Sequence, residues 1–261
     1  MIVAEPISDD TNTIAKQPTL RGWLDRGASD YPNKVFLESI HQGTYVTYGE
    51  VHQFCLRLSR RLNKQGFSAN DRVALLSNNS LEHLLVYFGV MYYGATICTV
   101  HVEMNAVIIQ EILKTLHPKL VLFEEGIGLE EEMGRSNYST YALGSWSGQE
   151  CGGFISEITE LSPEKLSPIN GPEDIASIFF TSGTTAKPKG ILCTFQHLEN
   201  NVAAVTEAFD IHSNDLLLDY RSFNWASAQM LSALGTLCRG ATLLMALKFS
   251  SSRFFDWITE Y

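Results

Sequence analysis

Short apolar segments of β-strand character alternate with helical patterns along most of this chain. Strand-like runs such as "RVALLS" (72–77), "TICTVHV" (96–102) and "KLVLFE" (119–124) are separated by helical patterns over 81–94 and 105–116. Parallel strands in one sheet need a crossover connection, which is usually a helix, so this order is typical of βαβ units. It predicts an α/β fold with a mainly parallel sheet.

A stretch without this alternation divides the chain. Residues 124–174 are acidic and rich in glycine, serine and proline, which is typical of a long loop or linker. The alternation resumes at "IASIFFTS" (175–182). We therefore expect three parts: a flexible N-terminal segment over residues 1–20, a first α/β subdomain including the linker over 21–170, and the start of a second α/β subdomain over 171–261.

The charge and the cysteine pattern restrict the partners of the protein. A net charge of -10 and an isoelectric point of about 5.2 argue against a nucleic-acid partner and against an anionic membrane surface. The five cysteines are scattered singly, which predicts free thiols and a cytoplasmic protein. No segment is long and apolar enough to span a bilayer, and the N-terminus lacks a signal-peptide pattern.

The segment "FFTSGTTAKPKG" (179–190) follows a predicted strand and concentrates serine, threonine, glycine and lysine. A strand that ends in such residues leaves backbone N–H groups and hydroxyls free to bind an anion, and phosphate is the anion that this chemistry favours. The G-x-x-x-x-G-K-[ST] pattern of the common nucleotide loop is absent, so a different phosphate loop is required. The alternative is a Gly/Thr-rich turn that binds no ligand.

Within that run, "TSGTTAKPKG" (181–190) resembles the signature loop of the adenylate-forming superfamily of AMP-binding enzymes, which includes acyl-CoA synthetases, luciferases and the adenylation domains of nonribosomal peptide synthetases. Residues 46–51, 71–95 and 239–261 resemble further family segments, in the family's order. The resemblance implies two flavodoxin-like, mainly parallel sheet units of the family's large domain. We expect the phosphate-loop strand to begin the second unit, and that unit to be incomplete.

The resemblance also implies roles for individual residues. In the family this loop holds the β- and γ-phosphates of ATP, so the expected phosphate-binding positions are Thr181, Ser182, Gly183, Thr184 and Thr185, with Lys189 as their charged partner. The implied reaction joins AMP to a small-molecule carboxylic acid and transfers the acyl group to coenzyme A, with Mg²⁺ bridging ATP phosphates. The sequence identifies no catalytic residue and no spacing typical of a transition-metal site.

Several positions depart from the family pattern. Ala186 stands where glycine is usual, which restricts the loop backbone. Family members commonly place an aromatic residue and a histidine in the acyl pocket, and here Phe223 is followed by Asn224. We take Phe223, Asn224 and Trp225 as pocket candidates that favour an apolar or aromatic acid, with a plain core role as the alternative. His197 is expected to lie at a helix N-terminus and not to be a catalyst.

Family members continue beyond the point that corresponds to Tyr261, with an acidic motif for Mg²⁺, an aspartate for the ribose and a small C-terminal domain. We therefore expect this chain to be the N-terminal part of an acid–CoA ligase that is weak or inactive alone. Two alternatives stay open: an adenylation domain of the peptide-synthetase type, and a nucleotide- or partner-binding module without catalysis. The exposed edges of an incomplete sheet also favour self-association.

Overall fold

The computed structural model describes residues 19–129, 131, 133, 137–146, 153–181 and 188–261. The strands in this part of the chain are β1 (Val35–Ser39), β2 (Thr44–Thr47), β3 (Arg72–Leu76), β4 (Thr96–Val100), β5 (Leu120–Phe123), β6 (Thr140–Ala142), β7 (Ile175–Thr181), β8 (Lys189–Thr194), β9 (Leu216–Asp219) and β10 (Thr242–Met245). They form a sheet of six strands and a sheet of four. The fold is α/β with mainly parallel pairing, as predicted.

The helices alternate with these strands along the chain. They are α1 (Leu20–Asp30), α2 (Tyr48–Lys64), α3 (Leu81–Tyr93), α4 (Ala106–Leu116), α5 (Gly153–Thr159), α6 (Phe195–Ala208), α7 (Leu234–Arg239) and α8 (Phe254–Glu260). A π-helical segment, Ala228–Ala233, leads directly into α7. The helical region from Ala228 to Arg239 is therefore not α-helical throughout.

The six-stranded sheet has the order β6-β5-β3-β4-β7-β8 and is parallel except for the β7–β8 pair. Side chains alternate between its faces, as the pleat of a strand requires. Val73 and Leu75 face a large core that also contains α3, while Ala74 and Leu76 face a smaller core covered by α4. The inner strands β3, β4 and β5 are buried on both faces, which explains their nearly continuous apolar runs.

The pairing of β7 differs from what we expected. We expected the strand at 175 to begin a second sheet, but this was wrong: β7 pairs with β4 and extends the first sheet, with Ile97 opposite Ser177. The four-stranded sheet has the order β2-β1-β10-β9, so its strands come from both ends of the chain. Apolar periodicity identifies strands but carries no information about distant partners. The domain boundaries stay a prediction. In both sheets, a strand that precedes residue 170 pairs with a strand that follows it.

Helix α3 lies in the centre of the molecule. All of its residues are buried, in agreement with the apolar side chains along most of its sequence, and it contacts β1 of one sheet and β3 and β4 of the other. The Ser80 hydroxyl accepts a hydrogen bond from the His83 N–H at the start of the helix, and Gly94 ends it at φ 101°. This left-handed conformation is accessible to glycine at little cost, so the chain can turn sharply into β4.

Two further observations concern the described part of the chain. No helix there has the length and apolar character needed to cross a membrane. Its four cysteines, Cys55, Cys98, Cys193 and Cys238, are free thiols.

Candidate functional site

The carboxyl ends of β3, β4 and β7 lie at one edge of the six-stranded sheet, because these strands run parallel. Ser77 follows the first strand and His101 the second, and the predicted phosphate loop follows the third at Thr181. Open α/β sheets generally bind ligands at this edge. The loop therefore begins where such a fold provides ligand sites.

Two of the predicted phosphate-binding residues frame this loop. Thr181 ends β7 and lies opposite Lys189, the first residue of the antiparallel strand β8. Lys189 is exposed to solvent. The other four predicted residues lie outside the described part of the chain: Ser182, Gly183, Thr184 and Thr185. Their role in binding phosphate stays a prediction.

The three pocket candidates follow β9 and lie beside the same edge. Asn224 Nδ2 donates a hydrogen bond to the Ser77 carbonyl at 2.9 Å. Trp225 is 49% exposed, and its ring lies edge-on to the His101 ring with centroids 5.9 Å apart. Phe223 is fully buried in the core. The structure thus brings the three residues to the ends of β3 and β4, with only two of them partly open to solvent.

Asn79 joins the two sheets at this edge. Its side chain is buried, and Nδ2 donates to the carbonyls of Arg221 at 2.8 Å and Ala246 at 3.1 Å, while Oδ1 accepts from the Phe223 N–H at 2.8 Å. These contacts connect the segment after β3 to the segments after β9 and β10. Because both ends of the amide are used, Asn79 fixes the position of the pocket candidates relative to the six-stranded sheet.

An ion pair between a buried aspartate and a partly exposed arginine fixes the segment between β9 and Phe223. Asp219 ends β9 and accepts hydrogen bonds from Arg221 Nε at 3.0 Å and Nη2 at 2.6 Å, and from the Ser232 hydroxyl. The hydrogen bonds to Asp219 raise the pKa of Arg221 above its usual value. An ionised donor and acceptor form stronger hydrogen bonds than neutral groups do. The pair therefore holds the chain in place two residues before Phe223.

The side chain of Ser77 contacts a buried histidine. His83 Nδ1 lies 2.7 Å from Ser77 Oγ, and both side chains are fully buried. Burial lowers the pKa of His83 to about 4, because the charged imidazolium would lose its hydration. The ring is therefore neutral near pH 7 and can share a single proton with the serine hydroxyl.

A cavity of about 640 Å³ opens nearby, at the ends of β3, β5 and β6. Its lining includes the carboxylates of Glu82, Glu124 and Glu125, and neither lysine nor arginine is found among the described residues that line it. This negative charge repels phosphate groups. The cavity is therefore unsuited to the phosphates of ATP.

Sequence reasoning missed several of these residues. Asn79, Asp219 and Gln229 were not singled out, although each makes a buried side-chain hydrogen bond within the site. A usable signal existed for the first two, since a polar residue at or just after the end of a buried strand lies at the ligand-binding edge. Among the described residues, no group of three or more His, Cys, Asp and Glu side chains could hold a metal ion.

Comparison with known proteins identifies one family. The model of the AMP-binding enzyme family matches residues 24–261. The 4-coumarate–CoA ligase 3 of Arabidopsis thaliana is 27% identical over 226 residues, covering 84% of this chain and 40% of that protein. A long-chain-fatty-acid–CoA ligase of Thermus thermophilus is 27% identical over 201 residues, covering 75% and 37%. The nonribosomal peptide synthetase tcpP of Claviceps purpurea is 30% identical over 216 residues, covering 77% and 10%.

The chain thus spans less than half the length of these relatives. Solved structures give the same fold: ATP-bound MatB from Rhodopseudomonas palustris matches with a TM-score of 0.79 and 19% identity, covering 92% of this chain and 48% of that one. The inhibitor-bound N-terminal domain of FACL13 from Mycobacterium tuberculosis matches with a TM-score of 0.79 and 21% identity, covering 93% and 61%. At these identities the likeness shows the fold alone.

Asn79→Ala should destabilise the protein by about 2–4 kcal/mol, because the Phe223 N–H and two carbonyls would lose buried hydrogen bonds. Urea denaturation would measure the loss. The neighbouring Asn78→Ala is the matched control: Asn78 Nδ2 makes one hydrogen bond to Glu124 at 3.1 Å, so we expect a loss of about 1 kcal/mol or less. Equal losses in the two variants would contradict the role given to Asn79.

The free energy of unfolding should fall below pH 6.5. The pKa of His83 is about 4 in the folded protein against an ordinary 6.5, so between these values the unfolded chain binds more protons. The contribution is fully present above pH 6.5 and should fall by about 2 kcal/mol at pH 5. Urea denaturation at pH 5 and 7 tests this. His83→Gln should lose this part of the pH dependence, while His212→Gln, at an exposed position, should keep it.

Proposed function

Because this chain belongs to the AMP-binding family of adenylate-forming enzymes, we propose that it activates a carboxylic acid with ATP and transfers the acyl group to coenzyme A. The observation that supports the proposal most directly is the β7–β8 hairpin. Its strands bring Thr181 and Lys189 together at the ligand-binding edge, and the sequence between them has the composition of a phosphate loop.

The chemistry requires the enzyme to bring two anions together. A carboxylate oxygen attacks the α-phosphorus of ATP and pyrophosphate leaves, which gives the acyl-AMP. The thiolate of coenzyme A then attacks the acyl carbon, and AMP leaves with the bonding electrons. Positioning and charge compensation account for most of such catalysis. Mg²⁺, when bound to the ATP phosphates, would reduce their repulsion of the incoming carboxylate.

We assign the residues of this chain to these tasks. The loop from Thr181 to Thr185 binds the β- and γ-phosphates through backbone N–H groups and hydroxyls. Lys189 supplies positive charge in a protein with a net charge of -10. Asn224 and Trp225 contact the acid, whereas Phe223 is fully buried and supports them from the core.

Two alternative functions remain. An adenylation domain of the peptide-synthetase type is supported by the relative from Claviceps purpurea, whose identity is similar to that of the two CoA ligases. We prefer the CoA ligase because the segment 239–261 resembles acyl-CoA synthetases most. The replacement of two family-typical residues by Ala186 and Asn224 favours the other alternative, a binding module without catalysis. Analysis of products with and without coenzyme A separates the two enzymes.

Exchange of labelled pyrophosphate into ATP, dependent on a carboxylic acid, tests the first step. We expect at least one acid in a panel of acyl and aryl acids to support exchange, at a low rate, because this chain spans less than half the length of its relatives and was expected to be weak alone. Thr184→Ala and Lys189→Ala should each reduce the rate by about tenfold or more, because each removes a group that binds the phosphates. The matched control is Lys248→Ala, which removes an exposed lysine remote from the loop in sequence and should leave the rate unchanged.

The possible outcomes separate the hypotheses. Unchanged exchange in Thr184→Ala and Lys189→Ala would contradict the phosphate-binding role of the loop. ATP binding by calorimetry without exchange for any acid would favour the binding module, or a first step that this chain does not carry out alone. Absence of both ATP binding and exchange would contradict the proposed function.

Self-association stays a prediction. Its support is the exposed apolar surface near the C-terminal helix, where Phe249 is 53%, Phe255 75% and Ile258 55% exposed. Strand β9 also lies at the edge of its sheet. Burial of such surface in a dimer would be favourable. We expect sedimentation equilibrium to show dimers whose population falls in Phe255→Asp, and a purely monomeric wild-type protein would contradict this.

A further inference from the structure

The amide of Asn224 has a fixed orientation. Its nitrogen donates to the Ser77 carbonyl at 2.9 Å and to the Ser222 hydroxyl at 3.1 Å. A carbonyl oxygen can accept hydrogen bonds but cannot donate them, so the nitrogen and not the oxygen must face Ser77. The side-chain oxygen of Asn224 is therefore turned away from Ser77 and is available only as an acceptor.

No described residue donates a hydrogen bond to that oxygen. Asn224 Oδ1 is buried and has no hydrogen-bond partner among the residues that the structure describes. Buried polar atoms are almost always paired, because an unpaired acceptor has lost its hydration without compensation. An exception in a folded protein therefore needs an explanation, and at a ligand site the explanation can be the ligand.

A second amide in contact with the same segment shows the same pattern. Gln229 is fully buried in the π-helical segment, and its nitrogen donates to the Phe223 carbonyl at 2.6 Å and to Thr99 Oγ1 at 2.8 Å. Its oxygen Oε1 is also buried without a partner in the described part of the chain. Segments of π-helix occur frequently at functional sites. The chain thus holds two oriented amides around Phe223, and the oxygen of each lacks a partner among the described residues.

We infer that the acid bound by this protein carries a hydrogen-bond donor, a hydroxyl or an amino group, which Asn224 Oδ1 accepts. The inference rests on the proposed function, since it assigns the substrate class of the same site. It also changes the expectation from the aromatic residues, because an apolar acid would leave Oδ1 unpaired. A site built to hydrogen-bond a substrate group discriminates strongly against analogues that lack the group.

The inference can be tested by measuring how tightly matched acids bind, without any reaction. Each acid is presented as its 5′-O-(N-acylsulfamoyl)adenosine, a non-reactive mimic of acyl-AMP, and titrated into the whole chain by calorimetry. Three sets are compared, in which a hydroxyl, an amino or a methyl group occupies the same position: on C2 of propanoate, on C3 of butanoate, and on C4 of benzoate. In at least one set, the hydroxyl or the amino compound should bind about tenfold or more tightly than the methyl compound.

Two variants show whether Asn224 is responsible. Asn224→Leu should abolish the preference, since leucine offers no acceptor. Asn200→Leu, an equivalent change at an exposed position on α6, should retain the preference. Melting curves check that both variants are folded. If Asn224→Leu does not fold, the comparison of the three sets in the wild-type protein still tests whether the bound acid carries a hydrogen-bond donor.

Two results would overturn the inference. One is methyl compounds that bind as tightly as their partners in all three sets, and the other is a preference that persists in folded Asn224→Leu. In both cases the proposed function would stand, because the adenylates bind. If none of the nine compounds binds, the proposed function fails and the inference fails with it. Preference for the hydroxyl or for the amino compound identifies which donor the acid carries.

Discussion

Helix α3 has no polar face, and the need to enclose it on every side determines the arrangement of the rest of the structure. Each large apolar side chain that is fully buried contributes about 1.5–3 kcal/mol, so an exposed face of this helix would cost several times that amount. A single sheet can cover only one side of a helix. The chain provides both sheets, with α1 and α2 packed against the remaining surface.

This enclosure places the carboxyl ends of the two sheets next to each other, at the first turn of α3. Asn79 precedes the helix by two residues and bonds to segments that follow β9 and β10, more than 140 positions away. The packing of one apolar helix and the formation of a site at the sheet edges are therefore parts of the same arrangement. Weakening Asn79 should affect stability and site geometry together.

The charged groups of the proposed site must come from residues close to it. The protein is acidic overall, and the cavity beside the site is lined by three glutamates. Under the proposed function, we expect the positive charge for a nucleotide to come from the loop after β7 and Lys189. The acid end of the proposed site is different, since it is formed by neutral amides and a tryptophan. Neutral acceptors suit a substrate that carries its own donor. Relatives with different acids match this chain at similar identity, so the pocket residues and not the overall likeness carry information about the substrate.

Much of the local structure could be predicted from the sequence. The strand predicted at 72–77 is β3 (Arg72–Leu76), the apolar pattern from Leu81 is the buried helix α3, and His197 lies in the first turn of α6, where its N–H donates to Thr194 Oγ1. These features depend on residues close together in the chain: apolar periodicity, caps and turn residues. Family membership was also readable, because the phosphate loop and the flanking segments are continuous in sequence.

The partners of distant segments could not be predicted. Which segments meet in space decides that β7 joins the first sheet, that β1 pairs with β10 and that Asn79 connects the sheets. It also decides that the side-chain oxygens of Asn224 and Gln229 have no partner among the described residues. The sequence by itself determined much of the local secondary structure, the apolar character of α3 and the family, but not β6 and α5, which lie within the stretch predicted to be a loop. Only the tertiary structure decided how the sheets share their strands and which polar groups remain unpaired, because those outcomes result from packing between residues that the order of the chain leaves far apart.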